Sequence, residues 1–298
     1  MTCNKIALGT VQFGLPYGVA NAAGKVQHDE LVRILQLAKA QGINTLDTAI
    51  AYGDSEESLG SSGVGGFELI TKLPAVPDEL SDADEWVNAN IKSSLKRLRQ
   101  SSVEAVLLHR ASDIIGKHSK ALQSALQALK DSGFCHAVGV SIYSPSDLDA
   151  IWQHNSQWRP DLIQAPLNVL DRRLINSGWL TKLQVENVRV HIRSVFLQGL
   201  LLMSANNRPE WFMQWTPLLN DWLNWCKQNK TTPLHAALQW AVSQDGIEKV
   251  VVGVDNALQL GEILDNMRAQ MLSNSESNSF KSYSEDSRLI DPSQWKLA

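Results

Sequence analysis

Short runs of apolar and β-branched residues recur along the chain at 6–9, 44–47, 69–71, 106–108, 137–141, 162–165, 188–194 and 250–252. Most are nearly continuous apolar segments with little alternation, the pattern of parallel strands covered on both faces. Helical spacing takes over between them. Leu31, Ile34, Leu35 and Ala38 repeat at helical intervals before Gly42, which predicts a helix over 29–41. Val87, Ile91, Leu95 and Leu98 repeat that pattern, with Ser81 and Asp84 upstream at near capping-box spacing. Ser144, Thr216 and Thr232 each precede a proline, so each is a predicted helix cap followed by a residue tolerated in the first turn. Strands alternating with helices in this way predict a closed (β/α)8 TIM barrel, because each parallel neighbour needs a crossover and right-handed crossovers put the helices outside. An open doubly wound sheet is the alternative. Its usual nucleotide fingerprint is missing, since the glycine-rich stretch 63–66 precedes a strand and lacks GxGxxG spacing.

Composition narrows the class without changing the fold. The 298 residues are 44% hydrophobic and 19% charged, enough apolar material for one large core and too much for a disordered or disulfide-scaffolded chain. A single barrel domain is expected over 1–272, followed by a polar C-terminal tail over 273–298. In that tail the serine-rich stretch 273–288 is predicted to be mobile and 289–295 to dock back on the body. A formal net charge of −4 with no Lys/Arg-rich block argues against nucleic acid as a partner. The first residues carry no signal-peptide pattern, and no apolar run approaches the roughly 18 residues that cross a bilayer, so a cytoplasmic protein with no membrane partner is expected. Cys3, Cys135 and Cys226 are widely spaced and read as packing residues in a reducing compartment. His28, His118, His136, His154, His191 and His235 show no metal-ligand spacing, and no metal is expected. Trp222 and Trp225, at helical spacing, read as core. The sequence sets no oligomeric state.

In a barrel of this kind reacting groups sit at the C-terminal ends of the strands. Asp47 ends the second predicted strand and Tyr52 follows it, Lys72 ends the third, and His109 ends the fourth. A phenol with an ordinary pKa of about 10 is protonated at neutral pH, and a nearby ammonium lowers that value and eases transfer of the proton. A carboxylate at Asp47 would hold a buried Lys72 charged, and His109 would hydrogen-bond a substrate oxygen. The set suits protonation of a carbonyl. Taken singly, Asp47 also suits a turn and Tyr52 a packed loop, and a strand-end lysine also suits Schiff-base chemistry.

LGTVQFG at 8–14, LDTAIAYGDSEESLG at 46–60, ITKLP at 70–74, VLLHR at 106–110, VGVSIYS at 138–144 and QAPLN at 164–168 together resemble the aldo-keto reductase superfamily over essentially the whole chain. The resemblance implies a TIM-barrel oxidoreductase that reduces an aldehyde or ketone with a nicotinamide cofactor, usually NADPH, with no metal and no Rossmann domain. It makes Tyr52 the proton donor to the carbonyl oxygen, Lys72 the residue that lowers its pKa, Asp47 the partner of Lys72, and His109 the group that orients the carbonyl. Around the cofactor it places Gly9, Thr10 and Asp47 from the first two strands, and Ser141 and Gln164 from the fifth and sixth. From the seventh strand and the turn after it come Arg193, Ser194, Leu197, Gln198 and Gly199, and from the eighth Gly253, Asp255 and Asn256. Substrate-facing groups are expected from loops above the barrel: Tyr17 after the first strand, Tyr143 after the fifth, and Trp211, Phe212 or Trp215 after the seventh. Their aromatic faces suit an apolar aldehyde or a sugar-like carbonyl.

Three positions depart from the family pattern. Ile142 follows Ser141 where an asparagine is common. Arg193 stands where many members stack a tyrosine on the nicotinamide. A planar guanidinium there would stack, reach a phosphate, disfavour an oxidised ring, or serve as an ion-pair partner at the rim. After the eighth strand a helix start at Asp255 or Asn256 offers N–H groups to phosphate, but Asp255, Asn256 and Gln259 stand where NADPH-selective members place Lys or Arg. Family frequency favours NADP(H). An Asp255 facing a 2′-phosphate would repel it, which leaves NAD(H) or dual use open. The alternative function is a nucleotide-sensing regulatory subunit with little turnover, since the family includes channel-associated members.

Overall fold

The structure is a computed structural model that describes residues 3–21, 23–155, 158–270 and 279–296. Eight parallel strands close in sequence order, with β8 pairing back onto β1, so the chain is a (β/α)8 barrel and not an open sheet. They are β1 (Ile6–Gly9), β2 (Thr45–Asp47), β3 (Glu68–Leu73), β4 (Val103–Leu108), β5 (Cys135–Ser141), β6 (Leu162–Pro166), β7 (Arg189–Arg193) and β8 (Lys249–Gly253). Several begin earlier than apolar runs predict. Glu104 is one such polar residue at a strand start. It pairs with Arg189 at 2.5 Å across the base of the barrel, a long-range contact that local hydrophobicity does not register.

Side chains alternate across each strand, so residues two apart share a face. Ile70, Ala105, Leu107, Ala137 and Leu162 fill the barrel interior as a separate apolar cluster. The second cluster, far larger, lies between the outer faces of the strands and the helices. Stepping by two from the interior residues reaches Lys72 on β3, His109 just past β4, Ser141 on β5 and Gln164 on β6. The alternation that packs the interior therefore delivers polar groups to its C-terminal mouth.

Helix His28–Ala40 buries Leu31, Ile34, Leu35 and Ala38, the stripe its spacing predicts. Helix Ala83–Leu98 is capped one residue later than predicted: the Asp82 carboxylate accepts from the Glu85 N–H, so Ser81 lies outside the cap. Ser144 and Asp147 form a reciprocal capping box on Pro145–His154, and the Thr232 hydroxyl accepts from the His235 N–H at the start of Pro233–Val242. Thr216 is no cap. The 3-10 turn Glu210–Trp215 runs directly into helix Thr216–Gln228, which makes Thr216 its first residue. Residues 63–66 join helix Ser55–Ser62 to β3 as a loop.

The serine-rich stretch predicted to be mobile falls partly, at 273–278, outside the described residues. From Ser279 onward the chain is held against the body instead. Phe280 is buried edge-on to Trp222 at 5.2 Å, the Arg172 guanidinium donates to the Phe280 carbonyl at 2.8 Å, and the Ser284 N–H donates to the Leu170 carbonyl at 2.8 Å. Leu289 and Ile290 are fully buried, and Trp295 meets Phe212 edge-on at 4.8 Å. One phenylalanine and one isoleucine-leucine pair among serines are enough to anchor the segment. Among the described residues no helix is long and apolar enough to cross a membrane, and no group of three or more His, Cys, Asp or Glu side chains is placed to hold a metal.

Candidate active site

The β1 turn and the β2 loop meet through two glycines that set the position of Tyr52. A Cβ on Gly14 would overlap the Tyr52 carbonyl oxygen, and Gly53, at φ +56°, has no room for one against the Gly14 carbonyl. Only glycine pairs fit this approach. Below it, the Thr10 N–H and hydroxyl both donate to the Asp47 carbonyl at 3.0 Å, and the Ser55 hydroxyl donates to the Thr10 carbonyl at 2.9 Å.

Asp47, Tyr52, Lys72 and His109 converge above the barrel interior. The Lys72 ammonium donates to both Asp47 carboxylate oxygens at 2.9 and 2.7 Å and to the Thr48 carbonyl at 2.8 Å, and reaches the Tyr52 hydroxyl at 3.4 Å. Gln164 Nε2 donates to Asp47 at 2.7 Å and steadies the carboxylate from the opposite side of the barrel. The rings of Tyr52 and His109 meet edge to face at 5.7 Å. Lys72 is fully buried and Asp47 nearly so, hence each depends on the other for its charge.

Burial first and the Asp47 carboxylate second push the Tyr52 phenol above its ordinary value of 10, with Arg193 working against them. Burial likewise pushes Lys72 below its ordinary value, opposed by Asp47. His109 is lowered to about 4 by burial and by Lys72, so its imidazole is neutral at neutral pH.

A cleft of about 330 Å³ opens beside Tyr52 and Asp47. Gly9, Thr10, Gln12 and Tyr17 line it from the β1 side, Arg193, Ser194, Gln198 and Gly199 from the turn after β7, and Gly253, Asp255, Gln259 and Glu262 from β8 and the helix that follows. The turn after β7 is strained: Ser194, Leu197 and Gln198 are left-handed at φ between +49° and +62°. Such conformations cost about 1–2 kcal/mol per residue and persist where the surroundings over-determine them. Asn168 does part of that, donating to the Ser194 carbonyl at 3.0 Å while accepting the N–H groups of Leu170 and Asp171.

Not every predicted residue reaches the cleft. Leu197 is buried beneath its turn, Asn256 caps helix Ala257–Arg268 by accepting the Gln259 N–H, and Ser141 is buried beside Gln164 at the end of β5. Trp211 and Trp215 turn to the C-terminal segment: their indole N–H groups donate to the Arg288 carbonyl at 3.4 Å and the Asp286 carboxylate at 3.2 Å. Tyr17 and Tyr143 remain exposed at the mouth, and Arg193 lies over the Tyr143 ring at 4.4 Å. Gln12, Asn168 and Glu262 were not singled out from sequence. The first two lie inside motifs at strand ends, and Glu262 is one helical turn beyond Gln259, so spacing was the available signal.

A family model described as the Aldo/keto reductase family matches residues 5–285. The L-glyceraldehyde 3-phosphate reductase of Escherichia coli K12 is 26% identical over 268 residues, 77% of this chain and 76% of that protein. An aldo-keto reductase of Mycobacterium ulcerans is 31% identical over 122 residues, 39% of this chain and 41% of the relative, and the chloroplastic pyridoxal reductase of Arabidopsis thaliana is 32% identical over 136 residues, 40% and 37%. Among solved structures, an aldo-keto reductase from Bacillus halodurans in its holo form superposes with a TM-score of 0.74 at 19% identity over 94% of both chains. A glycerol dehydrogenase from Gluconobacter oxydans gives 0.70 at 22% over 93% and 90%. At these identities the two structures bear on the fold.

Proposed function

The chain belongs to the aldo/keto reductase family of oxidoreductases, and on that premise we propose that it reduces a small aldehyde or ketone to the alcohol with Tyr52 as proton donor. The observation that carries this reading is the Tyr52 hydroxyl at the cleft wall, 3.4 Å from an ammonium clamped by Asp47. The residues present fit a nicotinamide dinucleotide. Gln12 Oε1 is buried in the cleft wall without a hydrogen-bond partner, next to the bare backbone of Gly253, which leaves a polar acceptor facing the groove. When bound, the reduced cofactor supplies hydride from C4 of its nicotinamide ring.

The chain's own groups handle the proton. Burial keeps it on Tyr52 until negative charge develops on the carbonyl oxygen, which is the moment it is needed. Lys72 then stabilises the phenolate left behind, while Asp47 and the Thr48 carbonyl hold the ammonium in place. Gln164 fixes Asp47 in turn. The neutral imidazole of His109 offers an N–H to the same substrate oxygen and adds to the stabilisation of its charge. Tyr17 and Tyr143 supply aromatic faces and hydroxyls at the mouth, which suits a small polar or sugar-like aldehyde. Two relatives are named for polar aldehydes, glyceraldehyde 3-phosphate and pyridoxal.

Asp255, Gln259 and Glu262 line the end of the cleft beside β8, with no Lys or Arg there among the described residues, and this end would hold the adenosine part of a dinucleotide. Carboxylates accept ribose hydroxyls and repel a 2′-phosphate, so these residues support NAD(H) over the family's usual NADPH. Steady-state turnover of a carbonyl substrate by Tyr52→Phe tests the whole reading. Loss of turnover with nucleotide binding intact is expected, and normal turnover would overturn it.

A further inference from the structure

Among the described residues, Arg193 is the charged group at the tetrad end of the cleft that has no carboxylate partner. Lys72 is paired with Asp47, Arg110 with Asp113, and Arg173 with Asp171, whereas Arg193 meets no carboxylate among the described residues. What holds it is neutral: it donates to the Ile142 carbonyl at 2.9 Å and to the Ser194 hydroxyl at 3.3 Å, and its guanidinium lies over the Tyr143 ring at 4.4 Å. Those contacts fix the position of the charge and leave its field intact. It shares the cleft wall with Tyr52 and Asp47, and its field reaches Tyr52, Lys72 and His109.

A hydride donor working with Tyr52 must present its nicotinamide at this end. The ring is neutral when reduced and carries one positive charge when oxidised. Resting on the reductase reading above, we propose that Arg193 makes the site discriminate between the redox states of its cofactor, binding the reduced nucleotide more tightly than the oxidised one. Two unit positive charges within about 10 Å at an effective dielectric of about 20 repel enough for a difference of about tenfold or more in affinity. The oxidised nucleotide is thereby expelled after turnover, and the site reports the ratio of reduced to oxidised nucleotide.

The test is titration of the full-length protein with NADH, NAD+, NADPH and NADP+, followed by quenching of tryptophan fluorescence, for wild type, Arg193→Met and Arg193→Lys. Wild type is expected to bind the reduced form of its preferred nucleotide at least about tenfold more tightly than the oxidised form. Arg193→Met is expected to bring that ratio close to unity, chiefly by improving affinity for the oxidised form, while Arg193→Lys keeps most of it because the charge remains. Equal affinities in wild type, or an unchanged ratio in Arg193→Met, would overturn the inference and assign Arg193 to a substrate anion or to the rim. Failure of all four nucleotides to bind would remove the reductase reading itself, and this inference with it.

Discussion

Replacing Lys72 by methionine removes the ammonium and leaves its partner in place. Asp47, 4% exposed, then loses hydrogen bonds of 2.9 and 2.7 Å and keeps the Gln164 amide at 2.7 Å. Breaking a buried ion pair from one side costs about 3–5 kcal/mol, because the remaining charge is stranded. Methionine fills much of the lysine stem's volume, so little of that cost comes from a cavity. The second substitution, Asp47→Asn, removes the stranded charge. Lys72→Met together with Asp47→Asn should therefore be less destabilised than the sum of the single variants by about 1–3 kcal/mol. Guanidinium unfolding of the four proteins, followed by tryptophan fluorescence at neutral pH, measures both quantities. A single Lys72→Met cost below about 1 kcal/mol, or strict additivity in the double variant, would refute the view that this pair is buried and mutually dependent.

Tyr52→Phe should lower kcat by about 10²–10⁴-fold, the usual contribution of a positioned general acid, with the nucleotide Kd changed by less than about twofold. His109 binds its proton more weakly in the folded chain, at about 4 against an ordinary 6.5. Between those values the unfolded state takes up the proton first, so stability is intact above about pH 6.5 and falls by up to about 3 kcal/mol as pH drops towards 4, and His109→Gln should flatten that part of the unfolding profile. Asp255→Lys should shift the ratio of NADPH to NADH affinity at least about tenfold towards NADPH, read by fluorescence titration. Phe280→Ala should cost about 3–5 kcal/mol in chemical unfolding if the segment from Ser279 is anchored as described.

The barrel was legible because its determinants are local. Eight β-branched runs separated by helical stripes leave few topologies, and period-2 alternation carries Lys72, His109, Ser141 and Gln164 to the same mouth. What was not legible depends on contacts between distant segments. The raised phenol of Tyr52 follows from its burial first and the Asp47 carboxylate second, and motif spacing encodes neither. Trp211 and Trp215 look like site aromatics until Asp286 and Arg288, some 70 residues away, are seen to take their N–H groups. Arg193 meets Tyr143 across 50 positions of sequence, so from the chain alone its role stays open among stacking, phosphate, oxidised-ring and ion-pair readings. The shift of a helix cap from Ser81 to Asp82 has a smaller cause: two adjacent residues are both competent to cap, and the Asp82 carboxylate is the one that takes a backbone N–H, that of Glu85.

The central claim is that Tyr52 delivers the proton in a nicotinamide-dependent reduction. It is tested most directly by mixing the reduced nucleotide that binds, under single-turnover conditions, with a panel of small polar aldehydes, and following loss of the reduced ring's absorbance for wild type and Tyr52→Phe. The account predicts rapid loss for wild type with at least one aldehyde, and loss slowed by about 10²-fold or more in the variant at equal nucleotide occupancy. Equal rates in the two proteins would contradict it.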